Sequence, residues 1–256
     1  MLLKESLASS DRVLFHAAVR ASLEMGGTEV TRVLTAILPQ IPPDYQIVVM
    51  EALGSRGDNL AASTLSTLAK IGDNSARVAS AHALAAIGSA ASVQLLAELI
   101  ESSNNDVAQA ALDGLAGIPA QEVDVVALGL MKSPMAEKRV AGIDLAGRRR
   151  MVTAIPALLT AATDPDAKVR TSALQKLGKL GTPAEVPALL NQLSRSTDAQ
   201  DITGLAAALS SICTLSGPSA STTEQIIAAL PDVQLAQKVA LLGVVSAANH
   251  APLGST

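Results

Sequence analysis

The chain is predicted to be all-α, a right-handed α-α superhelix of about seven stacked helix pairs followed by one unpaired C-terminal helix. Three observations carry this prediction. A leucine-anchored segment recurs with a period of about 31 residues. The apolar residues inside each unit follow a helical period, and no window alternates apolar and polar side chains as a half-buried strand would.

The anchors are Leu23, Leu53, Leu84, Leu115, Leu145, Leu177 and Leu209, each one period from the next to within a single position. The partner helix keeps the same step, since Ile155-Pro-Ala-Leu-Leu159 and Val186-Pro-Ala-Leu-Leu190 lie one full period apart. Within one unit Val169, Ala173, Leu177 and Leu180 share a helical face, and Val186, Leu189, Leu190 and Leu193 share another. This register places the pairs at 11–38, 44–70, 74–101, 105–131, 134–162, 166–194 and 198–229, with the unpaired helix over roughly 232–247. Turn chemistry separates the helices. Asp164-Pro-Asp166 breaks one helix and starts the next, because a proline is tolerated where the first amides have no intrahelical partner. Thr182-Pro-Ala-Glu185 has the spacing of a capping box, and Gly181 before it is expected to end the preceding helix in a left-handed conformation.

Composition agrees with thin, closely stacked helices. Hydrophobic residues make up 49% of the 256-residue chain, yet it holds one Phe, one Tyr and no Trp. Small aliphatic side chains must therefore supply the packing that aromatics supply elsewhere. A net charge of −4 gives no global signal for nucleic acid. The single cysteine, Cys213, cannot form an internal disulfide and reads as a buried structural thiol. The opening Met1-Leu-Leu-Lys-Glu-Ser lacks the apolar run of a signal peptide, and no stretch reaches the ~20 apolar residues of a membrane span. The expected location is cytoplasmic, although a piece of a secreted parent would read the same.

The run Ile155-Pro-Ala-Leu-Leu…Asp164-Pro-Asp-Ala-Lys-Val-Arg170…Ala173-Leu-Gln-Lys-Leu-Gly-Lys-Leu-Gly181 resembles the short bacterial HEAT repeat, including the subgroup called phycobilin-lyase HEAT-like. The match is closest over 150–195, good over 44–101 and looser at both ends. The resemblance implies one solenoid over 1–256, complete or excerpted from a longer chain. It also implies that the helices starting near Asp44, Ser75, Asp106, Glu137 and Asp166 line a concave face. A module of that kind binds a protein partner or a neighbouring domain through its concave face and edges, with no cofactor.

Catalytic chemistry is not legible. His16, His82 and His250 have no His or Cys at metal-ligand spacing, and no His-Glu dipeptide occurs. Deoxyhypusine hydroxylases, HEAT-like enzymes that hold iron with paired His-Glu motifs, are therefore set aside. His82 is expected on the solvent side of its helix. A bilin lyase stays as the third reading because the resemblance leads there, and ranks last because the repeat motif is architectural and carries over no catalytic residue. The charge distribution is more informative. Lys132 to Lys179 holds ten basic and four acidic residues, a net +6, against −10 for the rest of the chain. An acidic protein with a basic middle suits an anionic partner. The candidate binding residues fall at two ends of their helices: Lys138, Arg139, Lys168 and Arg170 at one, and Arg148, Arg149, Arg150 and Lys179 at the other. The alternative function is binding of nucleic acid or another polyanion through this segment.

Two structural explanations compete with a binding role. Cations at helix C-termini are favoured by the helix dipole. Arg77, Arg139 and Arg170, separated by two periods and then by one, occupy one repeated position, at which the resemblance to HEAT repeats implies a ladder with acids. Asp166 and Arg170 also have i,i+4 spacing. The final expectation concerns the unpaired helix, whose apolar residues wrap further round than one buried face needs. It should expose an apolar strip, suited to self-association or to a following domain, before a Gly- and Pro-containing tail over 248–256.

Overall fold

Repeated short helices with an apolar stripe cannot bury that stripe alone, and here they do so by stacking. A computed structural model describes residues 2–216 and 220–249; the tail over 250–256, His250 within it, and positions 217–219 of the predicted seventh pair lie outside them. No strand occurs among the described residues. The chain divides into two units, Met1–Val125 and Val126–Thr256.

The first unit contains α1 (Leu2–Leu7), α2 (Arg12–Glu24), α3 (Thr28–Ile37), α4 (Pro43–Arg56), α5 (Ala62–Ile71), α6 (Asn74–Ile87), α7 (Ala90–Leu99) and α8 (Asn105–Gly117). The division falls within α9 (Gln121–Leu130). The second unit continues with α10 (Ala136–Arg148), α11 (Ile155–Ala161), α12 (Ala167–Leu180), α13 (Val186–Arg195), α14 (Ala199–Ser216), α15 (Ala220–Ala229) and α16 (Leu235–Asn249). In the first unit α4, α6 and α8 stack side by side as an inner row, with α5 and α7 behind them. In the second, α10, α12, α14 and α16 form the inner row. The short α1, packed on α2 and α3, had no counterpart in the repeat register.

The inner leucines are the core. Leu53, Leu84, Leu115, Leu177 and Leu209 are fully buried, and Leu145 is nearly so. Leu23 corrects the register, because it is 46% exposed while its neighbour Ser22 is fully buried. A full period back from Leu53 lands on Ser22, and one position of helix rotates a side chain by about 100°. The Ser22 hydroxyl satisfies itself within the helix by donating to Val19 O at 2.6 Å. Close stacking also requires small residues. A Cβ at Gly54 would lie 2.8 Å from Ala83 Cα, so α4 and α6 meet backbone to backbone there.

The turns follow the sequence in part. Asp166 caps α12, accepting from Lys168 N and Val169 N, so Pro165 precedes the cap instead of standing in the first turn, and the Thr182–Glu185 capping box is formed in both directions. Gly181, however, has φ −68° and is not left-handed. Its glycine serves clearance instead, since a Cβ would lie 2.6 Å from Leu177 O and 2.9 Å from Ile212 Cδ1. His82 is exposed, as expected, and Cys213 is buried, with burial pushing its thiol up.

The last helix occupies an inner-row position against α14. Val233, Gln237, Leu241 and Val244 are buried, whereas Leu235, Val239 and Leu242 are 78%, 63% and 56% exposed. These three share one face by their spacing, and among the described residues nothing covers them. Gln237 anchors the opposite face, its Nε2 donating to Leu193 O at 3.0 Å and Ser196 O at 2.7 Å at the end of α13.

Candidate functional site

The basic segment lies in the second unit, which holds 12 basic and 9 acidic residues, against 7 and 14 in the first. What each cation can do depends on what already occupies it. Arg139 and Arg170 each stand four residues past the N-cap of α10 and α12, and both are consumed by the scaffold. Arg139 donates to both Asp164 oxygens, from Nε at 2.8 Å and from a terminal nitrogen at 2.7 Å, and to the carbonyls of Ser133 and Pro134. Arg170 repeats the arrangement one unit later, with Nε donating to Asp201 at 2.9 Å and a terminal nitrogen to the carbonyls of Asp164 and Pro165. Hydrogen bonding to these carboxylates pushes both guanidinium groups further up. Burial raises the Asp164 carboxyl, but the bonds from Arg139 and from Asp166 N outweigh it and hold the group below its ordinary value.

The expected Asp166–Arg170 pair is replaced by this ladder, because Asp166 is spent capping α12 while Arg170 reaches across to Asp201. The equivalent Arg77 pairs with no acid among the described residues. It donates to Ala69 O and Ser102 Oγ, Ser102 standing where Asp164 stands two repeats on.

The other candidates divide. Lys176 Nζ lies 2.8 Å from Asp144 Oδ1, and Arg148 lies 3.9 Å from the same carboxylate. The stem of Lys176 crosses Gly147, where a Cβ would be 2.5 Å from its Cδ. Lys138 and Arg149 are half-buried and engaged. Arg150, Lys168 and Lys179 are exposed and make no side-chain hydrogen bond or ion pair among the described residues. Lys168 sits at the start of α12, and Arg150 and Lys179 sit at the ends of α10 and α12. Helices of this length run ~20 Å, so these solvated cations mark two ends of one row.

Between α12 and α14 lies an open groove of about 340 Å³ that sequence reading missed. Gly178, Gly204 and Ala207 line its small-residue wall, and Thr171, Gln175 and Lys179 supply polar groups. The signal was present as small residues on facing helices, but only the crossing shows that they leave space. A larger hollow of about 580 Å³ sits over Arg170, Asp164 and Asp201, which already satisfy one another. Every buried side-chain nitrogen or oxygen among the described residues has a hydrogen-bond partner. No group of three or more His, Cys, Asp or Glu side chains gathers there at metal-holding spacing, and no described helix is long and apolar enough to cross a membrane.

Comparison with known proteins follows the same lines. The family model described as HEAT repeats matches residues 31–116 and 123–210. No curated protein matches the sequence. Among solved structures, Kap121p bound to Pho4p is 15% identical, with a TM-score of 0.63 covering 97% of this chain and 34% of that one. Kap95p, in a complex with RanGDP, is 14% identical with a TM-score of 0.64, covering 97% and 40%. The chain thus spans well under half the length of these karyopherins, and the likeness is one of fold. The CpcE–CpcF complex of phycocyanin lyase from Nostoc sp. PCC7120 is 16% identical, covering 96% and 93%, with a TM-score of 0.44.

Proposed function

The chain belongs to the HEAT-repeat family, and from that premise we propose that it is a non-catalytic interaction module whose second unit binds an acidic segment of a partner protein. The observation that carries this reading is the contrast within the basic segment. Arg139, Arg170 and Lys176 are locked into ion pairs, while Arg150, Lys168 and Lys179 are left in solvent on the inner-row helices. A solvated cation keeps its charge available to a partner; a paired one does not. The groove between α12 and α14 adds hydroxyl and amide groups beside Lys179, suited to the backbone of an extended segment. Kap121p, of like fold, is known bound to a protein, Pho4p.

The chain's only Phe and Tyr, Phe15 and Tyr45, stack on each other in the first unit, so the second unit offers no aromatic anchor of the kind that dominates tight interfaces. Affinity should therefore be modest and salt-dependent. The test is titration of a labelled poly-glutamate peptide into the whole chain, followed by amide chemical shifts. Shifts along α12 and α14 that fade with added salt support the reading. Absence of binding at low salt, or shifts confined to the outer helices, overturns it.

A further inference from the structure

Arg150 has φ 53° and is the only non-glycine residue with positive φ among the described residues. It ends α10: its own N–H donates to Gly147 O at 3.1 Å, and Met151 N–H donates to Ala146 O at 3.0 Å. This paired closure usually takes glycine, because an L side chain in the left-handed region crowds its own backbone. The repeat supplies its own reference. Gly57 and Gly88 close α4 and α6 at φ 66° and 64°. They stand three and two repeat lengths before Arg150, so an arginine holds the place that those units give to glycine.

Among the described residues no side-chain contact offsets the strain, and the helix dipole that favours a cation at the end of α10 is already met by Arg148 in its last turn. The Arg150 side chain is exposed and makes no hydrogen bond or ion pair among the described residues. Arg148, two residues before it, is exposed, and Lys179, exposed as well, occupies the equivalent of Arg148 one repeat on. Backbone strain that the surrounding structure does not use tends to be kept where function holds it.

We infer that Arg150 is a binding residue, kept in a strained backbone so that the end of α10 presents a cation to a carboxylate of an acidic protein segment. The inference rests on the proposed function and names one residue that carries it. Carboxylates fit better than the phosphates of a nucleic acid. The solvated cations are few, they are divided between two ends of the helices, and no aromatic platform accompanies them.

The experiment compares Arg150→Ala, Arg150→Gly and Arg150→Lys in the whole chain. Alanine keeps the strain and removes the charge, glycine removes both, and lysine keeps both. Arg150→Gly should melt about 2–4 °C above Arg150→Ala, isolating the backbone contribution. Both should bind a labelled poly-glutamate peptide about fivefold more weakly at low salt, while Arg150→Lys binds within about twofold of the parent. Equal melting of the glycine and alanine variants would overturn the strain argument. Parent-like binding by Arg150→Ala would overturn the inference and leave the proposed function standing. Failure of the unaltered chain to bind poly-glutamate, or tighter binding of a DNA duplex, would overturn both.

Discussion

Arg139 grips Asp164 with two parallel hydrogen bonds, 2.8 and 2.7 Å, across 25 residues of sequence. Both side chains are largely shielded, at 15% and 11% exposure. Asp164 also accepts from Asp166 N at 2.9 Å, so one carboxylate links the start of α10 to the cap of α12. Removing it takes away the guanidinium's carboxylate partner and the turn's support together, leaving Arg139 only the carbonyls of Ser133 and Pro134. Asp164→Ala should cost about 1–3 kcal/mol in urea denaturation, whereas Asp166→Ala, which removes only a cap, should cost about 1 kcal/mol. Arg139→Lys should not preserve stability, because an ammonium cannot reproduce the planar fork.

The same pair sets an acid dependence. The folded Asp164 carboxyl lies below its unfolded value, near 3.9 for a free aspartate, so its contribution is fully present above that pH. It is lost as pH falls below about 4 and through the folded value. The stability gap between the parent and Asp164→Ala should therefore be constant near neutrality and close under acid, as read by denaturation at stepped pH. A gap that widens in acid would contradict the pairing.

The repeat register has a direct mutational signature. Leu84 and Leu177 are fully buried, and truncation of either to alanine should cost about 2–5 kcal/mol. Leu23→Ala, at the exposed position the sequence pattern offers as an anchor, should stay within about 0.5 kcal/mol. Ser22→Leu, in contrast, would overpack a filled site at a cost of about 1–3 kcal/mol.

Arg56 clamps the first repeat. Its guanidinium donates to the carbonyls of Ser22, Met25 and Gly27, and to Thr31 Oγ1. Arg56→Ala should cost about 2 kcal/mol or more, and hydrogen exchange should accelerate first between Ser22 and Thr31. Uniform acceleration throughout the first unit would mean that the clamp is not local.

The last helix separates its faces in the same way. Leu241→Ala should cost about 2–5 kcal/mol, because Leu241 is fully buried. Leu242→Ser, at the next position and 56% exposed, should leave the melting temperature nearly unchanged.

Much of the fold was legible because its signals are local. The apolar stripe of each helix and the Thr182–Glu185 capping box depend on residues within one or two turns of each other, where spacing alone fixes who can meet, and the repeat copies them along the chain. Leu23 misleads because it is the nearest leucine to the repeated position, which a full period back from Leu53 assigns to Ser22. Even the stacking of Phe15 on Tyr45 at 4.0 Å was latent in their separation by close to one repeat.

The sequence by itself determined that this chain folds as stacked helix pairs and that positive charge gathers in its middle. Only the tertiary structure decided which of those charges remain available. Arg139, Arg170 and Lys176 find acids 25 to 32 residues away, a distance at which sequence order does not say whether side chains touch. Charge is a property of a residue, but its availability is a property of its neighbours in space. The same holds for conformation. Gly181 reads as a left-handed terminator and is an extended one required for clearance, while Arg150 reads as a helix-end cation and carries the left-handed turn that glycine takes elsewhere.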